Sequence, residues 1–297
     1  MESNMHSRDE CRSWKKSFSA GSLFRKPKTS IMKNRLKITL SLTLALAAGT
    51  ASLPAAYVFS SPNQTIVESF TGYGGTAAPT NWVLDTPGNT APFFGQEGSV
   101  VDGTAGWRSY GVTSPTVSSD RSLGFLGNGT FGPTDTPATM TASYTNSTGT
   151  LLTGISIGYT GEQWLAQVSR TSFITVSYSL DGTTFLNLGS LRFDAPVVPS
   201  TGAPYVLDGN DPLNSRIFAP AFVNLSANPI ADGSSFYVRF SYSGGSNGGI
   251  RQGLSIDDVT VTVVPEPATT ALLLGAAAFI LLYKRKRYRA STRESSI

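Results

Sequence analysis

The sequence predicts an all-β fold for region 52–264, a two-sheet antiparallel sandwich similar to a jelly roll. Three observations support this prediction. Apolar and polar residues alternate along many short segments, no segment repeats apolar residues with the period of an amphipathic helix, and Gly, Pro, Asn and Asp separate the segments. An N-terminal signal peptide and a C-terminal transmembrane helix are expected to flank this single domain.

The central strands show the alternation most clearly. Each has apolar residues at every second position, and therefore one face for the core and one for solvent. The apolar positions are Met140, Ala142 and Tyr144 in the first strand, Ile155, Ile157 and Tyr159 in the second, and Ile174, Val176 and Tyr178 in the third. Asp181-Gly182 then predicts a hairpin turn into a strand over 185–193, because this dipeptide accepts positive φ angles.

The last two strands follow the same rule, with one change of face. The apolar positions of the first are Phe236, Val238, Phe240 and Tyr242. A glycine-rich loop separates it from a final strand over 253–263, in which the apolar residues before Asp257 and after Asp258 have opposite phases. A β-bulge at these aspartates would return all of them to the core face. The Pro-rich region 195–229 is left unassigned.

Charge distinguishes the ends of the chain from its body. The chain has 297 residues and a formal net charge of +4, but region 61–264 holds seven basic residues, all arginine, against fourteen acidic ones. That region therefore has a net charge of −7, whereas a surface that binds nucleic acid needs clustered Lys and Arg. Nucleic acid is excluded as a partner.

Reactive side chains that many enzymes use are missing from the body. The chain has one Cys and one His, and both Cys11 and His6 precede region 52–264. Without them the body cannot form a Cys-His or Ser-His-Asp nucleophile system or a typical zinc site. We therefore predict a protein that is not an enzyme and that needs no cofactor.

Residues 32–51 have the composition of a secretory signal peptide. Basic residues at the start precede an apolar run, and small residues follow. We expect the Sec translocon to export the chain and signal peptidase to cleave it near Ala51, with Ala56 as the alternative. Region 1–31 is basic and polar, and translation is expected to start at Met32; an unusually long n-region is the alternative.

Three features follow one another at the C-terminus: the tripeptide Pro265, Glu266 and Pro267, an apolar segment over 268–283, and the basic cluster Lys284, Arg285, Lys286 and Arg287. As a helix, the apolar segment would be about 24 Å long, which approaches the hydrocarbon thickness of a bilayer. Basic residues beyond a membrane helix stay in the cytoplasm, so the body would lie outside. We predict a transmembrane helix over 268–283, with the membrane as a partner.

This C-terminus resembles the PEP-CTERM sorting signal, in which a Pro-Glu-Pro motif, a hydrophobic helix and a basic tail occur in that order. The resemblance implies a Gram-negative bacterium whose exosortase, a membrane-embedded cysteine transpeptidase-like enzyme, recognises the segment 265–297 and releases or transfers the protein. An inner-membrane-anchored precursor would then become a protein of the cell surface or extracellular matrix. An ordinary C-terminal anchor is the alternative.

Four segments of the body also resemble a recurrent exported bacterial β-sandwich that often carries this sorting signal. They are the segments 123–127, 157–164, 178–182 and 253–259. This second resemblance supports the fold and implies no particular activity.

Three tryptophans of the body, Trp82, Trp107 and Trp164, are candidates for contact with carbohydrate, because an aromatic ring can stack on the apolar face of a sugar. Tyr110 and Tyr205 would extend such a surface. Packing in the core is the alternative for each ring.

Asp257 and Asp258 are candidate ligands of a structural Ca²⁺, which binds six to eight oxygen atoms. Their further ligands would come from distant loops, and two solvated carboxylates at a bulge are the alternative. Asp208 and Asp211 have the same two interpretations, a turn or a calcium loop.

Glu162 lies two residues from Trp164 and suggests glycoside hydrolysis as the alternative function. That reaction needs a second carboxyl about 5–10 Å away. Glu68 and Glu97 are the other glutamates of the body, and no motif pairs either of them with Glu162. The main prediction is therefore a non-enzymatic surface or extracellular-matrix protein with a structural or polysaccharide-contacting role.

Overall fold

The computed structural model describes residues 55–97, 104–113, 116–133, 135–244, 251–266 and 276–284. These residues contain fifteen β-strands in two sheets, and a 3₁₀ turn at Gly189–Leu191. In chain order the strands are β1 (Tyr57–Phe59), β2 (Thr65–Glu68), β3 (Trp82–Asp85), β4 (Phe93–Glu97), β5 (Gly106–Tyr110), β6 (Ser122–Leu126), β7 (Ala138–Asn146), β8 (Leu152–Ala166), β9 (Phe173–Ser179), β10 (Leu186–Asn187), β11 (Phe193–Asp194), β12 (Tyr205–Val206), β13 (Ser215–Asn224), β14 (Ser235–Ser243) and β15 (Gly253–Pro265).

Sheet A has seven strands in the order β1-β7-β14-β9-β10, with β3 also paired to β7 and β11 to β9. Strand β14 lies between β7 and β9 and is antiparallel to both. Strands β3 and β1 cover successive parts of the same edge of β7, at 139–142 and 144–146. The polar face of β7 is thus bordered by strands on both sides.

Sheet B has eight strands in the order β12-β8-β15-β6-β5-β4, with β13 also paired to β8 and β2 to β15. The long strands β8 and β15 form its centre. The predicted two-sheet sandwich is confirmed, with two parallel strand pairs, β1–β7 and β4–β5, among the otherwise antiparallel ones. Neither parallel pair is joined by a tight hairpin, which would impose antiparallel order.

The core lies between the sheets and contains the alternating residues that the sequence indicates. Residues that are 0% exposed include Met140, Ala142, Ile155, Ile157, Ile174, Val176, Phe236, Val238, Phe240, Tyr242, Leu254 and Ile256. They come from three strands of sheet A and two of sheet B, so their burial holds the two layers together.

The predicted bulge in β15 is confirmed. The pairing of β15 with β8 shifts between Asp257 and Thr260, and Asp258 has a φ of 46°. Ile256 and Val259 are therefore both buried, while Asp258 is exposed. The bulge also fixes the positions of the two aspartates on the outer side of sheet B.

The predicted turn at Asp181-Gly182 is confirmed, but the strand after it is interrupted. Asp181 Oδ1 accepts the backbone N–H groups of Thr183 at 2.8 Å and Thr184 at 2.7 Å. Beyond the turn, the 3₁₀ turn separates the short strands β10 and β11, which both pair with β9. Gly189 begins this interruption, as expected of a residue with no side chain to pack in a strand.

The predicted flanking segments lie mainly outside the described residues, and regions 1–31 and 32–51 do so entirely. Residues 276–284 are helical. Among the described residues, none forms a helix with the length and apolar content that a membrane crossing requires. The transmembrane helix over 268–283 stays a prediction.

Candidate functional site

Several acidic residues meet on the outward face of sheet B. They line a cleft of about 450 Å³, here named the acidic cleft, formed by Asp120, Thr160, Glu162, Asn210, Pro212, Ser215, Ile217, Asp257 and Asp258. In the pairing of β15 with β8, Ser255 lies opposite Glu162 and Asp257 lies opposite Thr160. Because strand residues alternate between faces, Glu162 and Asp257 project from the same side of the sheet.

Glu162 is the most enclosed carboxyl of the acidic cleft, with 3% of its surface exposed. Its Oε2 accepts hydrogen bonds from Trp164 Nε1 at 2.9 Å and from Ser255 Oγ at 3.0 Å. Burial raises the pKa of Glu162, and hydrogen bonds from Ser122, Trp164 and Ser255 oppose that shift. The net effect is a glutamate that holds its proton more readily than an exposed one.

Asp257 is the second buried carboxyl, with 6% of its surface exposed. Burial, followed by the charge of Glu162, raises the pKa of Asp257 to about 8, whereas the backbone N–H of Asp258 opposes the shift. That N–H donates to Asp257 Oδ1 at 2.8 Å. The cleft thus contains two neighbouring carboxyls with raised pKa values, an arrangement that can serve acid–base chemistry.

Asp208 and Asp211 form turns, the first of their two interpretations. Asp208 Oδ1 accepts the N–H of Asn210 at 3.0 Å, and Asp211 Oδ1 accepts the N–H of Leu213 at 2.9 Å. Asn210 Nδ2 also donates to Asp120 Oδ2 at 3.3 Å, which joins this loop to the opposite rim of the acidic cleft. The loop is therefore a wall of the cleft.

Calcium gains no support from this arrangement. Among the described residues, no three His, Cys, Asp or Glu side chains are placed so that they could hold a metal ion. The bulge separates the two candidate ligands, since Asp257 is buried and Asp258 is exposed. Calcium binding at this pair stays a prediction, and its further oxygen ligands would have to come from distant loops.

The three candidate tryptophans lie in the interior, so their alternative interpretation as packing residues is the one that fits. Trp82, Trp107 and Trp164 are 3%, 2% and 3% exposed. Trp164 stacks on Tyr110, with ring centroids 6.0 Å apart, and the backbone of Gly209 covers its indole. This corrects the suggestion of a sugar platform, because none of the three rings presents an open face to a ligand.

Two of the remaining candidates, Glu68 and Tyr205, lie away from the acidic cleft. Glu68 accepts hydrogen bonds from the hydroxyl of Tyr57 and from the N–H of Phe70, the latter at 2.8 Å, and so stabilises local structure. Glu97 ends β4. Tyr205 is 43% exposed on the short strand β12. Neither Glu68 nor Tyr205 is among the described residues that line the cleft, and the side chain of Glu97 lies outside what the structure describes.

A second cleft, which sequence reasoning did not identify, crosses the outward face of sheet A. It has a volume of about 480 Å³ and is here named the hydroxyl groove; its lining residues are Ala56, Val83, Asp85, Thr139, Thr141, Ser143, Thr145, Gly182, Ser235, Tyr237 and Arg239. The floor is the polar face of β7, which contributes four side-chain hydroxyls at alternate positions. The neighbouring strands supply the two walls.

Strand pairing places a carboxylate and a guanidinium on opposite walls near one end of the hydroxyl groove. On β3, Asp85 lies opposite Thr139 of the floor. On β14, Arg239 lies opposite Thr141, one alternate position further along the floor. Although both residues are described, no direct ion pair joins them, and the charge of Asp85 acts on Arg239 across the groove.

Arg239 and Tyr237 are held in place by the hairpin that follows β9. The guanidinium carbon of Arg239 lies 3.5 Å from the centroid of the Phe185 ring, and its Nε donates to Thr141 Oγ1 at 3.1 Å. The Tyr237 ring rests on Gly182, which has a φ of 74° and where a Cβ atom would come within 3.0 Å of that ring. Both side chains are thus positioned before any ligand arrives.

The signal for the floor of the groove was present in the sequence as the Ser and Thr residues between Met140, Ala142 and Tyr144. Alternation showed that they form a polar face, but a polar face is normally solvated and indicates no site. No local pattern connects Asp85 with Arg239, because strand pairing brings together residues that are far apart in the chain.

No family model matches this chain, and no curated protein matches it. Among solved structures, the chain is similar to the carbohydrate-binding module TmCBM61 in complex with β-1,4-galactotriose, with a TM-score of 0.33 and 10% identity, covering 67% of this chain and 95% of that one. It is also similar to the CBM22-1 xylan-binding domain of Xyn10C from Paenibacillus barcinonensis, with a TM-score of 0.32 and 8% identity, covering 70% and 100%.

A third similar structure is the K3 cleaved adhesin domain of Lys-gingipain from Porphyromonas gingivalis. Its TM-score is 0.33 and its identity is 16%, covering 66% of this chain and 98% of that one.

Proposed function

We propose that this protein is an exported β-sandwich that binds a polysaccharide in the hydroxyl groove without cleaving it. The observation that supports the proposal is the composition of the groove, in which a floor of four hydroxyls is bordered by a tyrosine ring, a carboxylate and a guanidinium. Sugars present hydroxyls that both donate and accept hydrogen bonds, together with apolar C–H faces that pack on aromatic rings.

The rigidity of the floor also favours binding. Thr139, Thr141 and Ser143 lie on β7, which is paired on both sides, so that their backbone does not need to be ordered by a ligand. A pre-ordered site loses less conformational entropy on binding than a loop does. An open groove of this kind suits an extended chain better than an isolated small molecule.

Replacing Tyr237 by Ala is expected to weaken polysaccharide binding about ten-fold, which corresponds to about 1.4 kcal/mol, because its ring lines the groove, where it would pack on the C–H face of a sugar. The measurement is affinity electrophoresis of the purified protein through gels that contain soluble polysaccharides. Tyr205→Ala is the matched control, since it removes a tyrosine that is 43% exposed on sheet B and lies outside the groove. Equal losses in both variants would contradict the proposal.

Glycoside hydrolysis remains the second candidate function, because Glu162 and Asp257 share the acidic cleft and both have raised pKa values. The same polysaccharides, incubated with the protein, should release no new reducing ends if the protein only binds them. Release that Glu162→Gln abolishes would replace binding by hydrolysis as the function, while release that this variant retains would point to a contaminating enzyme.

We also propose that the C-terminal segment is a sorting signal of the PEP-CTERM type and that the protein reaches the cell surface or matrix. The folded body supports this by ending where the motif begins: Pro265 lies opposite Leu152 at the end of β15, and the N–H of Glu266 donates to Leu151 O at 3.0 Å. Pro267 and the basic residues Arg285, Lys286 and Arg287 lie outside the described residues.

The intact mass of the protein purified from its host tests this second proposal. The expected mass lacks region 1–51 and ends near Pro265, with or without an attached group. A mass that retains 268–297 would instead indicate an ordinary membrane anchor and would contradict processing by an exosortase.

A further inference from the structure

We infer that the hydroxyl groove selects uncharged polysaccharides, and that Asp85 and Arg239 do so by binding neighbouring hydroxyls of one sugar as acceptor and donor. The inference rests on the proposed function and goes beyond it by naming the class of ligand and the residues that choose it.

The charges in the groove are balanced. Of the described residues that line it, Asp85 is the one acidic residue and Arg239 the one basic residue. A uronate would be attracted by Arg239 but repelled by Asp85. A protonated amino sugar would be attracted by Asp85 but repelled by Arg239. A neutral sugar avoids both repulsions, since its hydroxyls can donate to the carboxylate and accept from the guanidinium.

Both charged groups remain available to a ligand. Arg239 donates through Nε to Thr141 Oγ1, and its two Nη nitrogens make no hydrogen bond to a described residue. The side-chain carboxylate of Asp85 accepts no hydrogen bond from a described residue. The Phe185 ring restricts the guanidinium to one orientation at the end of the groove. The arrangement therefore offers one fixed donor and one acceptor on opposite walls.

The body as a whole is acidic, with a net charge of −7 over residues 61–264. A field of this sign slows the approach of an anionic polymer and lowers its local concentration. An anionic polysaccharide would thus be disfavoured at long range by the body and at short range by Asp85.

The test compares binding of the purified protein to neutral glucans, galactans and mannans, to polygalacturonate and to chitosan, at low and at high salt. We expect binding to a neutral polymer, with less than a two-fold change between 0.1 and 0.5 M salt, because no net charge is neutralised. Asp85→Asn should weaken this binding at least five-fold and should raise the affinity for polygalacturonate relative to the neutral polymer, since the groove then has a net positive charge.

A matched control is available on the same face of sheet A. Asp194 is exposed on β11 and does not line the groove, so Asp194→Asn should leave the preference between the polymers unchanged. Thermal unfolding of each variant shows that the fold is kept. Because Asp85 is exposed, Asp85→Asn is expected to fold even if a variant of the half-buried Arg239 does not.

The failures of the two proposals are distinguishable. If Tyr237→Ala weakens binding but the preferred polymer is polygalacturonate or chitosan with a strong salt dependence, the inference of a neutral ligand is overturned and the hydroxyl groove remains the binding site. If neither Tyr237→Ala nor Asp85→Asn changes binding to any polymer, the groove is not the site, and the proposed function fails together with the inference.

Discussion

The folded protein is expected to lose stability as the pH rises from 5 to 8, and Asp257→Asn is expected to remove most of that loss. Asp257 is 6% exposed in the acidic cleft, and burial raises its pKa to about 8. The unfolded chain has an ordinary aspartate with a pKa of about 3.9. Between about pH 3.9 and pH 8, the folded state keeps a proton on Asp257 that the unfolded state has released.

The sign of the effect follows from this difference in bound protons. Below pH 4 both states hold the proton, and the burial of Asp257 then lowers the free energy of unfolding the least. As the pH rises, ionisation lowers the free energy of the unfolded state but not that of the folded state. The free energy of unfolding therefore falls by at most about 1.4 kcal/mol for each pH unit. The decline ends near pH 8, where the folded state also ionises.

Urea unfolding of the wild type and of Asp257→Asn at pH 5, 6, 7 and 8 measures this contribution. The difference in the free energy of unfolding between the two proteins should change by up to about 4 kcal/mol over this range, in favour of the variant at pH 8. Asp258→Asn is the control, because Asp258 is exposed and asparagine also tolerates its positive φ. A constant difference between wild type and Asp257→Asn would show that Asp257 titrates normally.

The buried position of Glu162 adds a second, weaker test of the same cleft. Burial raises its pKa as well, so part of the pH dependence should persist in Asp257→Asn. That remainder should disappear when Glu162→Gln is added. The two changes are not expected to be additive, because each carboxyl raises the energy of ionising the other.

The sequence was sufficient to predict the sandwich, its core strands and the bulge in β15. These features depend on local patterns, since the alternation along β14 shows directly which side chains are buried. The bulge could also be predicted, because the apolar phase changes within one strand at Asp257 and Asp258. Both inferences need residues that are close together in the chain.

The strand β13 could not be predicted, because Pro220 interrupts the pattern of Ser215–Asn224. The structure resolves this by pairing β13 with β8 alone and by shifting the register between Phe218 and Ala221, where the proline lies. Proline has no N–H to donate, and at such a site on an edge strand the ladder does not need one. Pairing with β8, which the local sequence does not encode, therefore determines that this segment is a strand.

The two clefts were beyond sequence reasoning for a related reason. Glu162 and Asp257 became neighbours through the register of β8 and β15, and Asp85 and Arg239 through their separate pairing with β7. The tryptophans were predicted to contact carbohydrate, and this was wrong because their depth depends on covering segments such as the loop at Gly209. Composition identifies such groups without showing what will cover them.

Phe240→Ala is expected to lower the free energy of unfolding by about 3–5 kcal/mol, the usual cost of removing a fully buried phenylalanine ring. Phe240 is 0% exposed, and its ring contacts Tyr159 of sheet B in a T-shaped arrangement with centroids 5.1 Å apart. It also contacts Trp82 of sheet A, with centroids 6.0 Å apart. The substitution would therefore leave a cavity where the two sheets meet.

Phe222→Ala is the matched control, because the same side chain is 59% exposed on the outward face of β13. It should cost no more than about 1 kcal/mol. Chemical denaturation of both variants measures the two values, and an unchanged slope with denaturant would show that the loss is one of stability alone. Equal costs at the two positions would contradict the sandwich core, since a ring between two sheets and a ring on their surface lose very different numbers of contacts.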